Sequence, residues 1–539
     1  MKSKHLIWIR RTSQAFFLCL FLFLLVESRL PLNIVVDYTQ SMEESQEIRI
    51  EKPITFFFQI DPLVWLTSLI SGHLWIKGFA WAMAVLAMTL LLGRVFCGFI
   101  CPFGTIHHMI SYFKSSLKEK QLFHANRKTA SQKIKYAILV TVLFSSLFGL
   151  NIAGWMDPIS FLFRSLALAV IPGLGNGLAE FFGLLAGSDI KILNLMSYGE
   201  MLVWPVFGFD FKSFQTGWII GILFLVILFL NRVRPRFWCR TLCPLGALLG
   251  LFSGFSRLRL DKDLAKCTQC RKCVMTCQGA AEPIPGVDWQ PAECLTCFNC
   301  FDTCPENALK FTFHRPGKER KLPDMGRRAL LGGLAAGVSL PFFGSLDGNI
   351  HAVSHANLIR PPGSVTENEF LKRCQRCGLC MKACPTNAIN PTFTEAGMAG
   401  FWTPTLLMTH GYCEHTCTLC GSVCPTQAIQ EISTTQKIET PIRIGSAHFD
   451  RGRCLPWSGN TPCIVCEEHC PTSPKAIYFF EDWVEGPGGK RLKVKLPQVD
   501  LTRCTGCGIC ENKCPIRGKP AIRVISAGES RSTRNQIML

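Results

Sequence analysis

Twenty-four of the 29 cysteines fall into six groups of four, and their spacing constrains this 539-residue chain more than any other feature. The groups are Cys267, Cys270, Cys273 and Cys277; Cys294, Cys297, Cys300 and Cys304; Cys374, Cys377, Cys380 and Cys384; Cys413, Cys417, Cys420 and Cys424; Cys454, Cys463, Cys466 and Cys470; and Cys504, Cys507, Cys510 and Cys514. C-x2-C-x2-C-x3-C is the run that holds a four-iron, four-sulfur cube, and its fourth cysteine commonly ligates a partner cube. Disulfide scaffolds are short secreted chains. Zinc sites use paired C-x2-C units, often with histidine. Triplets closed by a fourth cysteine and a proline fit neither. Five groups end in Cys-Pro; the exception is Cys277-Gln278. About six [4Fe–4S] clusters are expected, and six clusters in one chain mean electrons moving over distance.

The rest of the chain divides in composition. Hydrophobic residues make up 48% of it, and most of the 40 phenylalanines lie before residue 255. The expected fold is a multi-domain membrane protein: an α-helical transmembrane domain of 4–5 spans, then ferredoxin-like α+β domains. Runs at about 13–31, 75–93, 134–152 and 216–231 approach the roughly 20 apolar residues that cross a bilayer. The stretch 159–186, interrupted by Pro172 and several glycines, reads as a re-entrant or interfacial element, or a helical hairpin. The net charge of +19 reflects basic loops beside apolar runs, and no groove-reading motif suggests nucleic acid. The loop after the first run is acidic (Glu27, Asp37, Glu43, Glu44, Glu47, Glu51). The loop 94–135 is basic, as is the segment Arg232, Arg234, Arg236 and Arg240. Positive loops face the cytoplasm, so the N-terminus and both basic loops are expected inside and 153–215 outside.

Two further motifs, Cys97-Gly-Phe-Ile-Cys101-Pro102 and Cys239-Arg-Thr-Leu-Cys243-Pro244, end the second and fourth apolar runs. Cysteines at i and i+4 share a helix face, so four thiols can converge as a redox-active or metal-binding group. Buried small apolar side chains at a helix end are the plainer alternative. Cys19 reads as apolar filler.

GRVFCGFICPFGTIHH, WCRTLCPLGALLG and the next two quartets resemble NapH-type membrane ferredoxins, which are related to NosR-type and methylamine-utilisation proteins. The stretch IRPPGSVTENEFLKRCQRCGLCMKACP, with the remainder of the chain to its end, resembles a NapG/MauM-type four-cluster ferredoxin. The chain therefore reads as a fusion: a transmembrane domain at 1–255, a two-cluster ferredoxin domain at 256–320, a linker at 321–349 and a four-cluster domain at 350–539. In the linker, GRRALLGGLAAGVSLPFFGSL resembles a twin-arginine export signal and offers a fifth crossing at about 328–345. The resemblance implies a quinol dehydrogenase in the bacterial inner membrane. It would draw on the quinone pool, within membrane lipid, and feed a periplasmic reductase or cytochrome partner of a nitrate-reductase-like system. Its first ferredoxin pair would be cytoplasmic and its four-cluster domain periplasmic. An accessory or maturation protein that reduces a metal, or maintains a partner enzyme, is the alternative.

Quinol oxidation releases two protons and two electrons, so a base in an apolar slot is needed. Asp157 is the candidate, with Arg164 holding its charge or a quinone oxygen. The plainer alternative makes Asp157 the cap of a helix that starts at Pro158. His107 and His108 read as an interfacial, solvated pair, and His73, Glu200 and Trp204 are weaker candidates. Within the clusters, Cys304 is expected to exchange with Cys277. In the four-cluster domain the regular outer groups are expected to pair around the irregular inner ones. Cys514 would then join Cys374, Cys384 would join Cys504, Cys470 would join Cys413 and Cys424 would join Cys454.

Overall fold

The structure, a computed structural model, describes residues 3–28, 54–73, 75, 78–112, 119–186, 212–314, 323, 325–345, 356–440, 442–485, 491–532 and 535. Most of the acidic loop at 27–51, Lys114, Lys118, Glu200 and Trp204 lie outside them. Two compact units divide the chain, one formed by 1–26, 54–170 and 218–342, the other by 27–53, 171–217 and 343–539.

Helices build the first unit. The longer ones are α1 (Ser3–Glu27), α2 (Pro62–Gly72), α3 (Phe79–Leu92), α4 (Pro102–Tyr112), α5 (Ile134–Leu147), α6 (Pro158–Ser165), α8 (Gly217–Phe229) and α9 (Pro244–Ser253), while α7 (Ile171–Ala186) belongs to the second unit. Four of these begin at proline, whose ring presets the first helical turn and whose missing N–H has no partner to lose there. Asp61 caps α2, accepting from Leu63 N at 2.8 Å. Asp157 caps α6, accepting from Ser160 N at 2.7 Å, as the plainer reading of that residue holds.

The apolar run at 159–186 is neither a hairpin nor broken. α6 continues through a π-helical turn at Leu166–Val170 into α7, one helical run of 28 residues from Pro158 to Leu185. Pro172 sits in the first turn of α7, just after the π turn. This run and Lys4–Glu27 are, among the described residues, the two helices long and apolar enough to cross a bilayer. The other expected spans fall on shorter helices: α3 stops at Gly93, whose φ is 78°, and α5 and α3 each have 14 residues. α10 (Arg327–Ser345) forms where a fifth crossing is expected. Gly333 and Gly337 lay it directly on α5, where a Cβ at either would meet Ala137 O at 2.7 Å or Phe144 Cβ at 2.6 Å. Thr141 Oγ1 donates to Gly333 O at 3.1 Å across the same contact.

A small ferredoxin-like module follows α9. β1 (Leu258–Lys262) and β2 (Leu309–Phe313) pair antiparallel, Leu258 opposite Phe313, and enclose the first two cysteine groups. Leu260, Val274 and Leu309 form its core with Cys273 and Cys300.

In the second unit α11 (Glu367–Arg373) precedes the third cysteine group and α12 (Thr434–Glu439) follows the fourth. Four antiparallel pairings of strands and bridges organise the loops. β3 (Ile389–Pro391) pairs with β4 (Pro404–Leu406), and Ser364 bridges Ile429. β5 (Ser446–Phe449) pairs with β8 (Ile522–Ile525), and β6 (Ile477–Glu485) with β7 (Arg491–Val499).

Candidate cluster sites

Three small cavities of nearly equal size are each lined by four cysteines in the second unit. The first holds Cys374, Cys377 and Cys380 with Cys424. The second holds Cys454, Cys463 and Cys466 with Cys514. The third holds Cys504, Cys507 and Cys510 with Cys470. The remaining thiols, Cys413, Cys417 and Cys420, face Cys384. Neighbouring groups therefore pair, first with second and third with fourth, and the expected nesting of inner within outer groups is wrong.

The strands show why. β5 and β8 tie the third group to the fourth, so that Phe449 and Ile522 line one cavity, and Ala447 and Val524 the other. The Ser364–Ile429 bridge does the same for the first two groups, and Ile429 lines their cavity. The eight residues between Cys454 and Cys463 do not mark a different pairing; a helical turn at Leu455–Gly459 takes up the extra length. Cys413 N donates to Cys507 O at 2.8 Å, joining the two pairs.

In the first unit the expected exchange holds. Cys277 faces Cys297 and Cys300, on the side that the exchange predicts, while Cys273 faces Cys270, Cys277 and Cys304. Cys294 faces Cys297 and Cys277.

These thiols suit a cluster better than a single ion. A zinc ion draws four sulfurs to about 2.3 Å from one point. Among the described residues, no three His, Cys, Asp or Glu side chains converge closely enough for one ion. Twelve of the thiols stand instead around three cavities whose other lining is mostly apolar residues and glycine, with Gln375, Arg376, Thr426, Thr472 and Thr505 among them. Burial pushes the Cys466 and Cys507 thiols up to about 12, so iron must displace a proton from each.

Two charged groups escaped the sequence reading. Lys437 on α12 donates to Cys413 Sγ at 3.4 Å, Glu414 O at 2.6 Å and Cys417 O at 2.7 Å. Burial would lower its pKa, but Cys413, Cys420 and Cys417 outweigh burial and raise it, so it stays cationic beside the sulfurs. Glu367 accepts from Arg360 Nη2 at 2.5 Å and Arg531 Nη1 at 2.8 Å. Lysine and glutamate in charged segments carry no positional signal that could have singled them out.

Gln278, the one break in the Cys-Pro pattern, has a partner on each side. His108 Nδ1 lies 2.6 Å from its Oε1, and Arg236 Nε donates to the same oxygen at 3.3 Å. A proline there would forfeit both bonds between the ferredoxin module and the helices. His107 is buried rather than solvated, its Nδ1 2.8 Å from Asn231 Oδ1.

The two C-x3-C-P motifs do not lie on one α-helix face. Cys97 sits in a π-helical turn (Phe96–Ile100), and Cys239 in another (Trp238–Leu242). Cys101 N donates to Phe96 O at 2.9 Å and Cys243 N to Trp238 O at 3.0 Å. The residue before proline is forced out of the helical region, so each second cysteine is extended and starts the next helix. Gly104 N then donates to Cys101 Sγ at 3.4 Å and Gly246 N to Cys243 Sγ at 3.2 Å. All four thiols are nonetheless buried, and Cys243 faces Cys239, Cys97 and Cys101. Cys19 is exposed on α1.

Asp157 is fully buried and lies against Asp61, a residue the sequence reading passed over. Among the described residues, no hydrogen-bond donor reaches Asp61 Oδ2 or Asp157 Oδ1. Arg164, equally buried, donates to Gly154 O at 3.0 Å and stacks over the Phe161 ring.

Cysteine-lined cavities of this kind, on paired loops stitched by short strands, define an iron–sulfur protein of the ferredoxin type. Family models agree: a 4Fe-4S dicluster domain matches 373–428, and 4Fe-4S binding domains match 497–517 and the two segments 74–120 and 214–262. The dicluster match spans the two neighbouring groups whose cysteines meet in one cavity. The chain is 34% identical to the methylamine utilization ferredoxin-type protein MauM of Methylorubrum extorquens over 211 residues, 37% of this chain and 88% of that protein. It is 36% identical to the ferredoxin-type protein NapG of Escherichia coli, over 39% of this chain and 85% of that one. It is 26% identical to the ferredoxin-type protein NapH of Haemophilus influenzae, over 47% of this chain and 74% of that one. The chain belongs to the NapG/MauM family of ferredoxin-type proteins and joins it to a NapH-type region. No solved structure matches.

Proposed function

We propose that the chain is a membrane-bound quinol dehydrogenase. It passes electrons from the quinol pool, through six [4Fe–4S] clusters, to a periplasmic oxidoreductase. The observation that carries this reading is the two-plus-four arrangement of ligand sets beside a helical domain with a buried carboxyl pair. The ligands of the six are the 24 cysteines in the groupings above. Asp157 takes protons from quinol with Asp61 beside it, and Arg164 orients the segment before Asp157.

Four to five spans hold the first domain in the inner membrane, the shorter apolar helices among them. Exposed apolar side chains support this. Trp218, Ile222, Leu225 and Phe229 form one outward stripe on α8, and α1 exposes Trp8, Phe16 and Phe23. Scattered exposed apolar residues are ordinary, but contiguous stripes mark an apolar surrounding. The close α10–α5 contact at Gly333 and Gly337 has the small-residue packing of helices in lipid.

The first ferredoxin pair lies inside and the four-cluster domain outside. Hydrogen bonds within each unit support this division. Asn126 and Lys128, in the basic loop assigned to the cytoplasm, bond Met275 O at 2.6 Å and Glu282 Oε1 at 2.7 Å. Lys212 and Ser213, in the stretch assigned outside, bond Cys384 O at 3.1 Å and Asn387 Nδ2 at 2.8 Å.

Anaerobic mixing of the purified chain with a reduced quinone tests the reading. Cluster absorbance should bleach rapidly, and a quinone-site inhibitor should block it. Clusters that dithionite reduces but no quinol does would leave the accessory, metal-reducing role instead.

A further inference from the structure

Residues 74–120 and 214–262 match a 4Fe-4S binding domain, yet they contain none of the six cysteine groups. Their only cysteines are Cys97 and Cys101 in one segment, and Cys239 and Cys243 in the other. Two thiols cannot hold a cube, and four can. We propose that Cys97, Cys101, Cys239 and Cys243 jointly hold a seventh [4Fe–4S] cluster, one that neither segment can hold alone.

The geometry is paired and repeated. Each segment presents one thiol from a π-helical turn and one from the cap of the following helix. The capping thiols each accept a backbone N–H, from Gly104 and Gly246, as thiolates bound to iron do. All four are nearly inaccessible, 5–9% exposed. Cys101 faces Cys97 and Cys239, and Cys243 faces all three others.

Charge gives the second, independent argument. Three buried cations surround these sulfurs. Arg94 Nη2 is 3.9 Å from Cys97 Sγ, and Arg236 and Lys135 face Cys239. Glu293 neutralises one of them, pairing with Lys135 at 2.5 Å and lying 3.8 Å from Arg94. Asp157 also reaches Cys101, but it shares its charge with Asp61. Four neutral thiols would leave Arg94 and Arg236 with no anion at the sulfurs they face, and buried charge without a close partner is destabilising. A cube with four thiolates carries net negative charge and balances it.

The position suits electron entry. A Cβ on Gly98, between the two cysteines of the first motif, would lie 2.4 Å from Leu295 O, next to Cys294. Arg94 Nη1 donates to Ala292 O at 2.8 Å from the same side. An electron leaving the seventh cluster would thus pass to the group Cys294, Cys297, Cys300 and Cys277. That role rests on the quinol reading, whereas the cluster itself does not.

The test is the iron and acid-labile sulfide content of the full chain, purified without oxygen. The unaltered chain should carry about 28 irons, against about 24 for six cubes. The double variant Cys97→Ser, Cys239→Ser should lose about four of them and one paramagnetic signal, while Cys19→Ser loses none. Alkylation of the unaltered, folded chain guards against a variant that fails to fold: the four cysteines should stay unlabelled until iron is removed. Unchanged iron in the double variant, or labelling of all four before iron is removed, overturns the proposal. A chain that holds the seventh cluster but is not reduced by quinol would overturn only the quinol reading.

Discussion

Cys514 lines the cavity of Cys454 and not that of Cys374, although it lies 140 residues beyond the latter and closes the last group in the chain. Substituting it by serine should therefore perturb the cluster of Cys454, Cys463 and Cys466. Paramagnetic spectra of Cys514→Ser should lose the same signal as Cys454→Ser, and those of Cys424→Ser the same signal as Cys374→Ser. A Cys514→Ser spectrum that matched Cys374→Ser would restore the nested arrangement.

Lys437 places a positive charge at Cys413 Sγ and beside Cys417. Positive charge and hydrogen bonds to sulfur favour the reduced cluster. Lys437→Gln should make that cluster harder to reduce, by about 1.5–3 kcal/mol as for hydrogen bonds to charged groups. A redox titration followed spectroscopically should show one midpoint move to more negative potential and the others stay.

Glu367 ties α11 to the C-terminal segment through Arg360 and Arg531. Burial alone would raise its pKa, but the two guanidiniums hold it down to about 2. A folded value below the unfolded one of about 4.3 means that stability is fully present above pH 5 or so and fades as pH falls toward 2. Glu367→Gln should cost about 3 kcal/mol near neutrality, judged by that shift. The gap between wild-type and variant denaturation midpoints should narrow as the pH is lowered from about 5. A constant gap would mean that the carboxylate charge is not what stabilises.

Asp61 and Asp157 cap two different helices and meet with unsatisfied oxygens. A proton shared between them would satisfy both. Asp61→Asn and Asp157→Asn each remove a proton acceptor while keeping a capping oxygen, which limits the loss of helix stability to well under about 1 kcal/mol. Each should slow quinol-driven cluster reduction by about 100-fold or more, the lower range of general-base effects, while dithionite reduction is unchanged. Because the two act as one unit, the double variant should be little slower than either single one.

The cysteine groups were legible in the sequence because iron–sulfur loops demand local spacing, and the approach of Cys277 to Cys297 followed from the same rule. The pairing of the last four groups was not legible. It depends on which strands meet, and β5 and β8 lie some 70 residues apart. Spacing inside a loop, as between Cys454 and Cys463, says how the loop is filled rather than where its fourth ligand comes from. Asp157 was visible because Asp-Pro is a strong helix start. Asp61 begins α2 with the same Asp-Pro, and only the tertiary fold shows that the two caps touch. The i, i+4 reading of Cys97 and Cys101 failed because Pro102 and Pro244 break the helix where the pattern needed it to continue.

In the proposed role, electrons leave quinol and emerge outside the membrane through this chain. Right-side-out spheroplasts supplied with a reduced quinone and membrane-impermeant ferricyanide test it most directly. Ferricyanide should be reduced at a rate that depends on the chain and falls to background in Cys507→Ser. Clusters that quinol reduces in the same spheroplasts, with no ferricyanide reduced until the membrane is broken, would contradict the account.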